Sequence, residues 1–326
     1  MTRLLARRLV QLVPTFVGVT IVTFVLLRLA PGEAGALQSD GLHDASAQSL
    51  EAWRHLRGFD APLWQQYASW LGRVLTLDFG RSLVDEQPVT RLIAAALPRP
   101  LVLAGGALVL TYMVAVPLGV HGAMRRGSRL EGGVSTLLFV LYSLPPFWVA
   151  LVLILLFAGG ELVPLFPLRG LTSPGVAEAG VLVRLVDLAW HLVLPVACLS
   201  YPAMARTARL MRVSLLESVG ADYVRTARAK GLPEWRVITH ALRNALVPMA
   251  ALLSIDLPWL VGGSVVIERI FTIRGMGMLT FEAVLRRDYP VILGVTALAA
   301  LITMAAMLAG DLLHLALDPR ARRGLS

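Results

Sequence analysis

Residues 101–120 have the sequence LVLAGGALVLTYMVAVPLGV, which contains no charged side chain. A helix of about 20 apolar residues spans the hydrocarbon core of a bilayer. Within lipid, a helix satisfies its own backbone hydrogen bonds, whereas an irregular segment leaves them unmade. This stretch therefore predicts a transmembrane helix and an all-α integral membrane fold.

Five further apolar stretches resemble residues 101–120 in length and composition. Because each is long enough to span a bilayer, the chain is expected to have about six transmembrane helices. The other five are Leu9–Leu27, Gly133–Gly159, Leu188–Ala205, Ala245–Ile267 and Pro290–Ala309.

The composition of the 326 residues agrees with a membrane location. Hydrophobic residues make up 56% of the chain and charged residues only 16%, with a mean hydropathy of +0.70. Soluble domains have about 25% charged residues. These values exclude an ordinary soluble enzyme, and the apolar content also excludes a disordered chain.

The net charge of +9 is unevenly distributed along the chain. Residues 1–8, 124–131, 206–244 and 318–326 contain 17 basic and five acidic residues, whereas the remainder contains 13 basic and 16 acidic residues. Because Lys and Arg stay on the cytoplasmic side of membrane proteins, these four segments and both termini are predicted to be cytoplasmic. No aromatic-interleaved basic patch or groove-reading motif accompanies the charge, so a nucleic-acid partner is not expected.

This topology predicts three parts. Residues 1–30 form the cytoplasmic amino terminus and the first transmembrane helix, and residues 31–99 form a sizeable external segment with amphipathic helices. Residues 100–326 form a five-helix transmembrane domain, with a cytoplasmic loop at about residues 206–244. Within the external segment, Leu63, Tyr67, Trp70, Leu71 and Val74 recur at helical spacing. This helix is expected to pack on the membrane domain, or else to face the bilayer or a partner protein.

Motifs for enzyme activity are missing from the sequence. The chain has one lysine, Lys230, which is followed by Gly231 and not by the Ser or Thr that a phosphate-binding P-loop requires. The H-E-x-x-H and G-x-S-x-G motifs are also absent, and Cys198 is the only cysteine. We therefore expect a non-catalytic protein without a cofactor or metal of its own, whose energy comes from a partner or an ion gradient.

The loop at residues 206–244 contains a helix break outside the predicted membrane spans. Residues 221–230 are expected to form a short helix that ends at Gly231, since glycine adopts the left-handed conformation that commonly ends helices. Pro233 and Glu234 are typical of the start of a second helix. A protruding, arginine-rich turn of this kind suits either protein docking or an ordinary solvated loop, and the residues alone favour neither.

The sequences DYVRTARAKGL at 222–232 and HALRNALVP at 240–248 resemble the EAA loop of permease subunits of ATP-binding-cassette importers. The resemblance is to the dipeptide/oligopeptide-type group. Arg225 and Thr226 replace the Glu-Ala of the general pattern, and Arg243-Asn244 stands where Leu-Pro would be, as in the peptide group. Further segments that resemble this group are residues 8–32, 56–60, 66–67, 70–73, 78–82, 143–147, 263–271, 275–277 and 287–290.

The resemblance implies a permease subunit that moves peptides or a related small solute across the cytoplasmic (inner) membrane by alternating access. It implies two separate ATPase subunits that bind ATP and magnesium, a second homologous permease subunit and an external or periplasmic substrate-binding protein. The residues that it places in contact with the ATPase are Tyr223, Arg225, Ala227, Arg228, Lys230, Gly231 and Leu232.

Three residues inside the predicted spans are candidates for the translocation path. Asp256 lies in the fifth span, where an ionisable group usually faces a bundle interior or a water-filled path. The alternative is a carboxyl group that bonds to another helix. Pro145 and Pro146 interrupt the third span and are expected to bend or open it, which serves either gating or packing.

An ion-gradient-driven secondary transporter is the main alternative function. Such transporters are expected to contain internal repeats with broken helices and several ionisable groups at the bilayer midplane. The sequence contains one clear carboxylate at that depth, Asp256, and no evident repeat between its halves.

Overall fold

The computed structural model describes residues 2–29, 60–158, 163–257 and 263–317. Regular structure in these ranges is helical, apart from one isolated antiparallel bridge between Arg81 and Pro88. The predicted all-α class is confirmed for this part of the chain.

The described residues form twelve α-helices. In chain order they are α1 (Thr2–Leu29), α2 (Leu63–Val74), α3 (Val89–Ala96), α4 (Pro98–Met124), α5 (Arg129–Ser143), α6 (Pro146–Phe157), α7 (Val181–Gly220), α8 (Asp222–Ala229), α9 (Glu234–Asp256), α10 (Val265–Ile270), α11 (Met276–Leu285) and α12 (Tyr289–Leu317). A single 3₁₀ turn, Val176–Glu178, precedes α7.

Four stretches of the described residues are long and apolar enough to cross a bilayer: Val10–Leu29, Val89–Met124, Val181–Gly220 and Tyr289–Leu312. Helices α5 and α6 make a fifth if the bent pair counts as one span. Many apolar side chains on the spans are exposed, such as Met113 at 66%. Exposed apolar surface on this scale fits contact with lipid or another subunit.

The third predicted span, Gly133–Gly159, is two helices in the structure. Helix α5 ends at Ser143, α6 begins at Pro146, and the pair is bent by 103°. Leu144 is extended because the ring of the following proline disfavours a helical backbone at that position. The bend expected at Pro145 and Pro146 is therefore confirmed, and its angle makes this segment a sharply bent pair of helices.

The fifth predicted span, Ala245–Ile267, is also placed differently. Helix α9 begins at Glu234, well before Ala245, and ends at Asp256. Residues 258–262 lie outside the described ranges, and α10 follows at Val265–Ile270. The count of six spans therefore stays a prediction, since the described residues contain four or five.

The chain divides into two compact units, each assembled from separate stretches of the sequence. Unit 1 comprises Met1–Pro100, Val261–Val265 and Arg274–Ala305. Its core joins α1, α2, α3 and the first half of α12. The Tyr67 ring lies 5.5 Å from that of Phe24, and its hydroxyl lies 2.9 Å from Thr20 Oγ1. These contacts favour packing as the role of α2, although Trp64 stays exposed.

Unit 2 comprises Leu101–Leu260, Val266–Ile273 and Ala306–Ser326. The 40-residue helix α7 packs against α9, α5 and α6. One of its clusters contains Cys198 together with residues of α6 and α10, and the thiol is unpaired. A second cluster, at the other end of α7, includes residues of α8 and α9 and is described below.

Candidate functional site

The turn between α8 and α9 has the geometry of a Schellman motif, in which a left-handed residue ends a helix. Helix α8 ends at Ala229, and Gly231 follows with φ +75°. The Gly231 N–H donates to the Arg228 carbonyl at 2.9 Å, and the Leu232 N–H donates to the Ala227 carbonyl at 3.3 Å. These are the two bonds that define the motif. The short helix and the glycine end predicted from the sequence are therefore confirmed.

Gly231 is required by its backbone conformation and not by lack of space. A Cβ atom built there would meet no heavy atom within 4 Å. The positive φ nevertheless disfavours a residue with a Cβ by roughly 1–2 kcal/mol. Substitutions at this position therefore strain the turn without causing a clash.

Helix α8 is anchored to the membrane helices by one fully buried side chain. Val224 has no exposed surface and lies in a cluster with Met211 and Leu215 of α7 and Val237 and Ala241 of α9. Ala227 and Leu232 are partly buried against the same cluster. Helix α8 is therefore packed closely against both α7 and α9.

The opposite face of α8 is exposed to solvent. Tyr223 is 40% exposed, and the Arg225, Arg228 and Lys230 side chains are also outside the core. Arg225 Nη1 lies 3.3 Å from Asp222 Oδ1 within the same helix. The structure thus divides the seven predicted coupling residues between an anchored side and an exposed side.

An ion pair joins α8 to α9 across the Gly231 turn. Arg228 Nη2 donates to Glu234 Oε1 at 2.6 Å. This hydrogen bond, with the nearby guanidinium charge, lowers the pKa of the Glu234 carboxyl below its ordinary value. The same bond raises the pKa of Arg228. Both side chains are exposed, so the pair is expected to contribute little to the stability of the fold.

The sequence reasoning missed Trp235 as a member of this surface. Its indole is 64% exposed, and the Arg236 guanidinium lies 5.1 Å from the ring centroid. Exposed tryptophan is enriched at the centre of protein interfaces. Trp235 could have been identified from its position, because it directly follows the Pro233-Glu234 helix start and lies outside the predicted spans.

Asp256, the last residue of α9, is held by two other helices. Arg206 Nη2 of α7 donates to Asp256 Oδ1 at 2.6 Å, and the Tyr112 hydroxyl of α4 donates to Oδ2 at 3.4 Å. The Asp256 side chain is 11% exposed. This is the contact expected of a carboxyl group bonded to another helix, and a role in the translocation path stays a prediction.

The break at Pro145 and Pro146 is stabilised by a second contact to α7. The Tyr201 hydroxyl donates to the carbonyl of Leu144 at 2.6 Å, so the carbonyl freed at the break is satisfied. Tyr201 lies on the same helix as Arg206. Helix α7 therefore contacts both Asp256, through Arg206, and the break at Pro145 and Pro146, through Tyr201. No hydrogen bond among the described residues joins these two places directly.

No group of three His, Cys, Asp or Glu side chains within the described ranges is arranged to hold a metal ion. His191 and Asp187, one turn apart on α7, form a local pair with 3.5 Å between Nδ1 and Oδ1. Asp187 also accepts hydrogen bonds from the backbone and the hydroxyl of Ser173. The pair therefore fixes the segment before α7.

Comparison with known proteins covers nearly the whole chain. Residues 115–323 match the family described as the binding-protein-dependent transport system inner membrane component, and residues 1–104 match its amino-terminal companion family. The oligopeptide transport system permease protein AppB of Bacillus subtilis is 35% identical over 98% of this chain and 99% of its own length. The di/tripeptide permease protein DppB of Pseudomonas aeruginosa is 35% identical, and the dipeptide permease protein DppB of Escherichia coli is 33% identical. Each of the last two alignments covers 99% of both chains.

Proposed function

The chain belongs to the family of inner membrane components of binding-protein-dependent transport systems, and from this premise we propose that it is a peptide-importing permease subunit. As a member of this family it is a non-catalytic, multi-pass integral membrane protein. Peptides are proposed as the substrate because the similar proteins named above are permeases for oligopeptides, di/tripeptides and dipeptides. A related small solute is the nearest alternative substrate.

In this proposal the driving force comes from partner proteins. Two ATPase subunits bind ATP and magnesium, a second homologous permease completes the path, and an external binding protein delivers the peptide. The chain itself holds no cofactor. Support comes from the family description, which refers to binding-protein-dependent transport, and from the lack of a P-loop in this sequence.

The ATPase subunits are proposed to dock on the loop at residues 206–244 around Gly231. What supports this is the Schellman turn, the buried anchor at Val224 and the exposed side chains of Tyr223, Arg225 and Lys230. A surface that is exposed on one side and packed against α7 and α9 on the other suits the transmission of movement from a soluble partner to membrane helices.

The topology is proposed to have six spans with both termini in the cytoplasm. Support comes from the excess of basic residues in the four segments predicted to be cytoplasmic. The division into residues 1–30, 31–99 and 100–326 describes the order of these segments across the membrane. It does not describe the compact units, which combine residues from different parts of the chain.

The proposed translocation path includes Asp256, Pro145 and Pro146. Asp256 is included because an ionisable group in a predicted span usually faces a bundle interior or a water-filled path, and its side chain is 11% exposed. The two prolines are supported by the 103° bend between α5 and α6. Movement of α7 would affect both places, because Arg206 and Tyr201 belong to that helix.

Uptake by the assembled transporter in proteoliposomes tests the function. The proposal predicts that a labelled dipeptide accumulates only when ATP is supplied on the side of the ATPase subunits and the binding protein is present on the other side. Uptake that follows a proton or sodium gradient in the absence of ATP would show a secondary transporter instead. Vesicles that lack the ATPase subunits are the control.

A further inference from the structure

We propose that unit 2 contains a binding site for a phosphate group, presented by an anionic phospholipid, in the cavity between α4, α5 and α7. The cavity has a volume of about 240 Å³. Its lining combines polar and apolar side chains from all three helices. The polar members are His121, Glu131, Ser135, Arg209 and Arg212.

Close packing of α4 against α7 closes the inner side of this cavity. A Cβ atom on Gly119 would lie 2.6 Å from both the Ala208 carbonyl oxygen and Met211 Cβ, so only glycine fits there. A Cβ on Gly122 would lie 3.3 Å from Arg212 Cδ. The two glycines thus let α7 approach closely and hold the stem of Arg212 against α4.

Among the described residues, one carboxylate lines the cavity, and it already has partners. Glu131 Oε1 lies 2.8 Å from Arg212 Nη2, and Oε2 accepts a hydrogen bond from the Gly127 N–H at 3.3 Å. Glu131 also lies in the first turn of α5, where Ser128 caps the helix by accepting from the Glu131 N–H. Its charge therefore offsets one of the two arginines.

Arg209, the second arginine that lines the cavity, leaves a positive charge available to a ligand. Within the described ranges no carboxylate pairs with Arg209, whose side chain is exposed at the rim of the cavity. Arg212 Nε is buried, and it has no hydrogen-bond partner among the same residues. A buried N–H donor without an acceptor is costly, and an anion in the cavity would supply one. With His121 neutral, the four ionisable groups that line the cavity sum to one positive charge.

A phosphate on a lipid fits these features better than a free anion. Guanidinium groups bind phosphate oxygens through charge-assisted hydrogen bonds. Leu118, Val134, Leu138 and Val213 add apolar walls that suit an acyl chain. The cavity also lies between the end of α4 and the start of α5, next to the polar turn that contains Arg125 and Arg126, where headgroups are expected.

Native mass spectrometry of the assembled transporter tests this site. The complex is reconstituted in phosphatidylcholine containing a fraction of phosphatidylglycerol, and the bound phosphatidylglycerol molecules are counted. One arginine near the surface contributes about 1 kcal/mol to anionic-lipid binding. Arg209→Gln is therefore expected to weaken retention of one phosphatidylglycerol about fivefold. Arg184→Gln, which removes an exposed arginine from the other end of α7, is the matched control and should retain the lipid.

Two further arms distinguish the sources of the ligand. Inorganic phosphate, added to the wild-type complex, is expected not to displace the phosphatidylglycerol, and displacement would contradict a lipid site. Equal loss from Arg209→Gln and Arg184→Gln, or full retention by both, would also overturn the proposal.

A Ser135→Cys variant in a Cys198→Ala background tests whether the second permease subunit, and not a lipid, occupies the cavity. A disulfide to a cysteine introduced into the second permease would show that the cavity is a subunit interface.

Discussion

Arg206 of α7 and Asp256 of α9 form an ion pair, with 2.6 Å between Nη2 and Oδ1. The two residues are 50 positions apart in the sequence, and the Tyr112 hydroxyl of α4 lies 3.4 Å from the second carboxylate oxygen. Three helices of unit 2 therefore meet at one carboxylate. A change in their packing would have to break or rearrange this contact.

The Arg206–Asp256 pair predicts energetic coupling between the two residues. Asp256→Asn and Arg206→Gln should each lower the thermal stability of the purified complex. The double variant should be less destabilised than the sum of the two, with a coupling energy of about 1 kcal/mol because Arg206 is 49% exposed. Additive single effects would show that the pair contributes nothing.

The same variants test the proposed path role of Asp256. If the carboxylate takes part in transport, Asp256→Asn lowers peptide uptake by more than its loss of stability explains. Unchanged uptake by a stable Asp256→Asn complex would remove Asp256 from the path and leave it a structural partner of Arg206.

A buried contact in unit 1 predicts a larger effect on stability. Asp288 is 3% exposed and accepts hydrogen bonds from the Ser82 hydroxyl and, at 3.1 Å, from the Leu83 N–H. Asp288→Ala leaves these donors unsatisfied and should cost about 1–3 kcal/mol. Thermal unfolding measures this loss. Asp85→Asn is the matched control, since its exposed pair with Arg286 at 3.7 Å is expected to contribute less than about 1 kcal/mol.

The Arg228–Glu234 pair predicts a pH dependence of stability. The Arg228 hydrogen bond lowers the pKa of Glu234 in the folded state. The stability that the ion pair contributes is therefore complete above the unfolded-state pKa of about 4.3, and it is lost as the pH falls through the lower folded-state pKa. The difference in unfolding temperature between wild type and Glu234→Gln should therefore be constant from neutral pH to about pH 5. It should shrink below about pH 4. A difference that grows on acidification would contradict the pairing.

Local features of the fold were predictable from the sequence, and long-range contacts were not. The left-handed Gly231 and the start of α9 at Glu234 depend on residues within one or two turns, so their spacing was sufficient. The partner of Asp256 depends on how α7 and α9 pack. Arg206 lies in a segment predicted to be cytoplasmic from its basic residues, and neither the charge nor its position in the sequence gives information on that packing.

The bend at Pro145 and Pro146 is also only partly predictable from the sequence. Proline predicts that the helix is interrupted, since it lacks an N–H and restrains the residue before it. It does not predict an angle of 103°. The Tyr201 hydroxyl, from a distant part of the sequence, satisfies the Leu144 carbonyl at the bend, and proline spacing does not predict that contact either.

The end of α9 was misplaced for a different reason. The stretch from Ala245 to Ile267 is largely apolar apart from Asp256, so hydropathy alone favours one span there. The helix in the structure begins earlier, at Glu234, includes Arg243 and packs against α7 and α8.

The left-handed conformation of Gly231 predicts a graded series of transport phenotypes. Gly231→Asn should retain most coupling, since asparagine tolerates positive φ, and Gly231→Ala should strain the turn by about 1–2 kcal/mol. Gly231→Pro should be the most severe variant because it also removes the N–H that donates to the Arg228 carbonyl. Gly220→Ala is the control, since Gly220 lies in α7 and a Cβ there meets no atom within 4 Å.

The most direct measurement of the proposed mechanism is the number of peptide molecules taken up per ATP hydrolysed by the reconstituted transporter. The wild type and the Gly220→Ala and Gly231→Asn variants are predicted to couple hydrolysis to uptake. The Gly231→Pro variant is predicted to insert and assemble but to hydrolyse ATP without corresponding peptide accumulation. Peptide uptake by Gly231→Pro at the wild-type ratio would contradict the assignment of this turn as the coupling element.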